Sequence, residues 1–131
     1  MPPRTAVLPP ASRIDLCDNV ATLNVDAALS DPDSVFYTYQ SLIALRKSLP
    51  LLTCGDYQDL LPTHPSLWCY LRQWQGQTLI VVANLSHECQ SWQPDALSGD
   101  WRVVLSNYAE VASQPAAMTL RPFEAVWWLQ A

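Results

Sequence analysis

The chain has 131 residues, half of them hydrophobic, and twelve acidic against seven basic side chains give it a net charge of -5 at pH 7. A chain of this size and composition buries a core without staples, and its scattered cations (Arg4, Arg13, Arg46, Lys47, Arg72, Arg102, Arg121) make no basic stripe of the kind that nucleic-acid phosphates require. Apolar runs such as Thr78 to Ala83 are far shorter than the roughly 20 residues of a membrane span, so neither a nucleic acid nor a membrane is an expected partner.

In chain order, Pro2, Pro3, Pro9 and Pro10 interrupt the stretch around Arg4. No secretory leader is expected there, and the cytoplasm is the expected location. Residues 1–30, with one short apolar run from Ala21 to Val25, read as an irregular, extended arm. Asp31, Pro32, Asp33 and Ser34 then give a helix-start signature, with acidic groups near the positive end of the helix and proline where a missing N–H costs nothing. Val35, Phe36, Tyr39, Leu42, Ile43 and Leu49 recur at spacings of three and four, Arg46 and Lys47 suit the negative end, and Pro50 stops the run. The segment 31–50 is therefore expected to hold a helix over about 33–49. Leu51, Leu52 and Gly55 lead into the next domain.

Residues 55–131 change texture to short β-type runs separated by Pro, Gly, Asn and Asp. Strands are expected at 56–61, 66–74, 77–84, 88–92, 101–106, 117–121 and 124–129. Gln75 and Gly76 predict a hairpin turn with positive φ at the glycine. Thr78 to Ala83 is apolar on both faces and predicts a central strand, whereas Trp68, Tyr70, Arg72 and Trp74 alternate and predict one face turned toward a rim. The expected fold is mainly β: an antiparallel β-sandwich preceded by one α-helix.

Candidate chemistry is sparse. Asp31, Asp33, Asp56, Asp95 and Asp100 sit where turns and caps use them, and no GxSxG, HExxH, P-loop or GxGxxG string occurs. His87, Glu88 and Cys89 lack further assignable ligands, so no metal and no cofactor is expected. Cys17, Cys54, Cys69 and Cys89 contain no CxxC and read as reduced, mostly buried thiols. The Asn84–Leu85–Ser86 triplet reads as a strand-ending turn. Six tryptophans supply core or inter-domain packing. Of the adjacent Trp127 and Trp128, one points inward and one outward, and Trp74 and Trp128 are the candidate sugar-stacking residues.

The stretch NVDAALSDPDSVFYTYQSLIALRKSLPLLTCGDY at 24–57 resembles the junction between catalytic barrel and C-terminal domain in oligo-1,6-glucosidase-type enzymes of the α-amylase superfamily. In detail it is most similar to the trehalose-6-phosphate hydrolases among them. The likeness continues through DLLP at 59–62, LWCYLRQWQGQTLIVVANLS at 67–86 and LRPFEAVWWLQ at 120–130, and covers about residues 14–130. It implies that 33–49 is the last helix of a (β/α)8 barrel and that 55–131 is the β-sandwich closing the chain. The family's catalytic Asp, Glu and Asp all lie upstream of the matching segment, so no catalytic residue is carried onto this sequence.

Residues 1–13 depart from the pattern, and their degenerate codons permit a family-like string in another frame, so an out-of-frame reading of a parent gene is the expectation there. The expected function is that of a non-catalytic C-terminal fragment of a glycoside hydrolase, supporting an absent catalytic barrel. The alternatives are a stand-alone carbohydrate-binding module, or a parent that is an oligo-1,6-glucosidase or α-glucosidase. Without its barrel, the apolar face of the helix is expected to drive self-association.

Overall fold

The computed structural model describes residues 18–95 and 97–130. Residues 1–17, which include most of the expected arm and the stretch read as out of frame, lie outside the described residues. The chain divides after Ser48 into two compact units.

Among the described residues, the first unit holds two helices, α1 (Val25–Ser30) and α2 (Val35–Ser48). Helix α1 corrects the expectation of an arm without regular structure up to residue 30. Asn24 is its N-cap, and the side-chain oxygen accepts the Ala27 N–H at 2.8 Å while Asp26 places a carboxylate in the first turn. Its six residues are too few for a helix to stand alone. It is tied to α2 by the Tyr37 hydroxyl, which donates to the Leu29 carbonyl at 3.0 Å, and by the Ser34 hydroxyl, which donates to the Ala28 carbonyl at 2.7 Å. The Asp31 carboxylate accepts the Asp33 N–H at 3.0 Å and turns the chain between the helices. Helix α2 carries Arg46 and Lys47 in its last turn and buries none of its residues. Val35, Phe36, Tyr39 and Ile43 are all exposed.

The second unit begins with a single turn, α3 (Leu51–Cys54), and continues as seven strands: β1 (Asp56–Asp59), β2 (Leu67–Trp74), β3 (Gln77–Asn84), β4 (Gln90–Trp92), β5 (Trp101–Ser106), β6 (Met118–Leu120) and β7 (Ala125–Gln130). All pairings are antiparallel. A five-stranded sheet runs β1-β2-β3-β7-β5, and a two-stranded sheet pairs β4 with β6. The architecture is the expected antiparallel two-sheet β fold, with very unequal sheets.

The β2–β3 hairpin turns on Gln75 (φ 47°) and Gly76 (φ 82°), both left-handed, so the two-residue loop matches the twist of its strands. Strand β3 pairs on both edges, with β2 and β7, and is packed on both faces. Ile80 and Val82 join Cys69, Trp92, Leu120, Val126 and Trp128 in the core shared with the small sheet. Leu79 and Val81 join Leu51 and Leu129 in a second cluster on the other face. Leu51 is 0% exposed, and α3 fits here because Gly55 follows it: a Cβ at Gly55 would stand 2.5 Å from the Leu51 carbonyl oxygen and 3.1 Å from that of Gln73.

Candidate functional site

Several polar side chains of the β unit serve local structure. Asp59 accepts the Leu61 N–H at 3.0 Å. His64 Nδ1 accepts the N–H groups of Ser66 (3.1 Å) and Leu67 (2.9 Å), so this imidazole shapes the turn into β2. Asn84 is 1% exposed; its amide donates to the carbonyls of Glu88 and Arg121, and its oxygen accepts from the Ser86 N–H and hydroxyl. The Asn84–Ser86 triplet is thus a buried knot at the end of β3. Among the described residues, no three of His, Cys, Asp and Glu converge on a common point. Cys69 is buried, and desolvation pushes its thiol up to about 11. Cys54 and Cys89 are exposed, which corrects the expectation of mostly buried thiols, and Cys17 lies outside the described residues.

One carboxylate is fully enclosed. Glu124, 1% exposed, accepts from the Arg121 backbone N–H (2.7 Å), Nε (3.1 Å) and Nη2 (2.7 Å). The Arg121 side chain beside it, with that backbone N–H, holds its carboxyl below the usual range against the opposing effect of burial. The Arg121 guanidinium lies 3.9 Å above the Tyr108 ring. Arg121 and Glu124 help line an open cleft of about 380 Å³ with Val111, Ala112 and Met118. With every hydrogen bond of the Glu124 carboxylate made to Arg121, this corner is a structural clamp.

The most conspicuous surface feature is aromatic. On the face of the large sheet that carries α3, the register sets Tyr57 opposite Arg72 and Asp59 opposite Tyr70, so residues of β1 and β2 share one edge. The Tyr57 and Tyr70 rings are 5.2 Å apart, those of Trp68 and Tyr70 are 5.0 Å apart, and Trp68 Nε1 donates to the Tyr57 hydroxyl at 3.4 Å. Tyr57 is 52% and Trp68 46% exposed. Tyr70 is half-buried between them, and that burial raises its phenol above the usual tyrosine value. Across the strands Trp68 faces Ala83, which in turn faces Ala125, so small side chains leave its flank open.

The structure corrects one of the two candidate sugar-stacking residues, Trp128. Trp128 is 0% exposed: it stacks on Trp92 at 5.7 Å and donates its indole N–H to the Ala112 carbonyl at 2.9 Å. It has no free face, because the register places it beside Ile80 and Val103, on the side covered by the small sheet. Its neighbour Trp127 takes the other face. Trp74 is half-buried beside the Leu51 cluster. Of the exposed aromatic cluster, the alternation in β2 pointed to Trp68 and Tyr70, whereas Tyr57 depended on a strand pairing that no local pattern announces.

A family model described as the C-terminal domain of maltogenic amylase matches residues 57–127. The chain belongs to this family. Curated relatives agree with the assignment. Trehalose-6-phosphate hydrolase of Escherichia coli is 62% identical over 117 residues, a match covering 89% of this chain and 21% of the relative. Palatinase of Erwinia rhapontici is 44% identical over 104 residues, covering 78% and 19%. The chain thus spans about a fifth of the length of these relatives. Among solved structures, trehalose-6-phosphate hydrolase of Bacillus licheniformis superimposes with a TM-score of 0.82 at 33% identity, covering 89% of this chain and 22% of that one. The trehalulose synthase MutB of Pseudomonas mesoacidophila does so with a TM-score of 0.80 at 26% identity, covering 90% and 22%. These C-terminal-domain matches place the aromatic face and the Arg121–Glu124 clamp inside one family fold.

Proposed function

We propose that this chain is the C-terminal, non-catalytic part of a cytoplasmic glycoside hydrolase acting on trehalose 6-phosphate, and that its β domain supports a separate catalytic (β/α)8 barrel. The observation that carries this reading is the 62% identity to the E. coli trehalose-6-phosphate hydrolase, sustained over 117 residues but covering only 21% of that enzyme. In this reading 31–50 supplies the last barrel helix and 55–131 the closing sandwich. The exposed Val35, Phe36, Tyr39 and Ile43 of α2 are then the side chains that barrel neighbours cover, and the isolated chain self-associates through them.

The test is a graft in which this chain replaces the matching fifth of the E. coli enzyme. The graft should be soluble and should hydrolyse trehalose 6-phosphate, while the chain alone should not. Hydrolysis by the chain alone that disappears when one of its own carboxylates is substituted would overturn the reading. A tryptophan-fluorescence titration with trehalose and maltose separates it from a sugar-binding module, which would respond to the sugars.

A further inference from the structure

We infer that the open cleft between strand β6 and the segment that follows β5 is an accessory binding site for a neutral polyhydroxylated ligand, a mono- or disaccharide, held between Arg121 and Glu110. This inference does not rest on the parent assignment above, and its test leaves that assignment untouched.

The clamp that holds Glu124 uses only one side of the guanidinium. Nε and Nη2 of Arg121 donate to the carboxylate, and Nη2 donates also to the Glu110 carbonyl. In a pair made through Nε and Nη2, Nη1 lies away from the carboxylate, and among the described residues it has no hydrogen-bond partner. The Arg121 side chain is 40% exposed, so those donors remain free for a ligand. Glu110 lines the same cleft, is exposed, and makes no ion pair among the described residues. Its carboxylate is close enough to act on Arg121 electrostatically. A donor therefore stands beside an acceptor, with Val111, Ala112 and Met118 as an apolar wall and Thr119 as a further polar group.

That combination selects the ligand. Neighbouring hydroxyls donate to a carboxylate and accept from a guanidinium, while the C–H face of a sugar ring covers apolar side chains. An anion is disfavoured, because Glu124 already offsets the charge of Arg121 and Glu110 adds a second carboxylate. A wholly apolar ligand would take water from both charged groups without replacing its hydrogen bonds. The volume of about 380 Å³ suits one or two sugar rings and falls at the lower end of the range of small-molecule pockets, about 300–1,000 Å³.

The walls stand before a ligand arrives. The Tyr108 hydroxyl donates to the Pro122 carbonyl at 2.9 Å, the Trp128 indole N–H donates to the Ala112 carbonyl at 2.9 Å, and Arg121 is held 3.9 Å above the Tyr108 ring. Binding thus orders few side chains, which lowers its entropic cost. No tryptophan lines the cleft, so occupancy here does not require the fluorescence response of a module that stacks sugars on indoles.

Saturation-transfer NMR on the full chain, which tolerates self-association, tests this with trehalose, maltose, glycerol and trehalose 6-phosphate. The two neutral disaccharides should show saturable transfer in the millimolar range, and glycerol and the phosphorylated sugar should bind several-fold more weakly. Glu110→Ala lies outside the Glu124 carboxylate's own bonds and should keep the thermal midpoint while weakening binding several-fold. Trp68→Ser, on the exposed aromatic edge, should leave binding unchanged. If Glu110→Ala lowers the midpoint, Ala112→Phe decides instead: it fills the cleft from an exposed position and should abolish transfer. Absence of saturable transfer to either disaccharide overturns the site. So does equal binding of glycerol, tighter binding of trehalose 6-phosphate, or transfer that survives the cleft variants and disappears in Trp68→Ser. The activity of the graft on the E. coli barrel is read separately, so either reading can fail without the other.

Discussion

The carboxylate of Glu124 is held by a residue three positions earlier: Oε2 accepts both the backbone N–H and the Nε–H of Arg121, and Oε1 accepts from Nη2 at 2.7 Å. Between them Pro122 and Phe123 form a turn in which the Glu124 N–H donates to the Arg121 carbonyl at 3.1 Å and Phe123 has a φ of 55°. The clamp lets the chain leave β6 and enter β7 with no buried polar atom of Glu124 left unpaired.

This arrangement predicts an acid-dependent stability. The folded carboxyl of Glu124 titrates below its unfolded value of about 4.3, so its contribution is complete above that pH and is lost as pH falls through the lower, folded value. Replacing Glu124 by Gln should cost about 1–3 kcal/mol at neutral pH, because donors aimed at a carboxylate meet a neutral amide. Thermal melts of both proteins should diverge at neutral pH and draw together as the pH falls through the lowered value of the folded carboxyl. A gap that stays constant down to acidic pH would show that the charge contributes nothing.

Gly55 predicts a steric effect. Its backbone is extended at φ -68° and ψ 148°, so conformation alone would admit any residue. A Cβ, however, would lie 2.5 Å from the Leu51 carbonyl oxygen and 3.0 Å from a Leu51 methyl. Gly55→Ala should therefore destabilise the β domain by about 1–3 kcal/mol, as overpacking does. Denaturant unfolding of the variant measures it, and a neutral outcome would mean that α3 moves away freely.

The hairpin predicts the opposite sign. Gln75 occupies a left-handed position at φ 47° that asparagine adopts with less strain. Gln75→Asn should raise stability by about 0.5 kcal/mol, near the limit for a surface change. A lower midpoint in the same denaturant series would show that the Gln75 side chain has a role of its own.

Two tryptophans in the same sheet should behave differently. Trp128, fully buried and stacked on Trp92, should cost about 3–5 kcal/mol on replacement by Ala, enough to unfold much of the domain. Trp68, 46% exposed, should cost far less in the isolated chain. Equal losses would contradict the burial of one and the exposure of the other.

Thiol reactivity separates the cysteines. With its thiol raised to about 11 and its side chain buried, Cys69 should resist iodoacetamide at about pH 8 in the folded protein, because too little thiolate forms and the reagent cannot reach it. The exposed Cys54 and Cys89 should be alkylated. Mass mapping before and after unfolding gives the comparison, and native modification of Cys69 would refute the enclosed core.

The sequence by itself determined the elements whose signals are local. The hairpin is legible because Gln75–Gly76 stands between two β-type runs, and β3 because five consecutive apolar residues, Leu79 to Ala83, satisfy two faces at once. Helix α2 is legible from its spacing, its terminal cations and Pro50. Helix α1 escaped that reading although Asn24 is a good cap, since its short run depends on bonds to Ser34 and Tyr37 across the turn. What only the tertiary structure decided is which side of a strand meets which neighbour. Alternation requires Trp127 and Trp128 to part, but the pairing of β7 with β3 and β5, and the roof of β4 and β6 over one side, put Trp128 inside. The same holds for Tyr57, which joins Tyr70 only because β1 adds to the edge of β2. A period of two residues specifies that faces differ and carries no information about what covers each; burial is settled by long-range pairing.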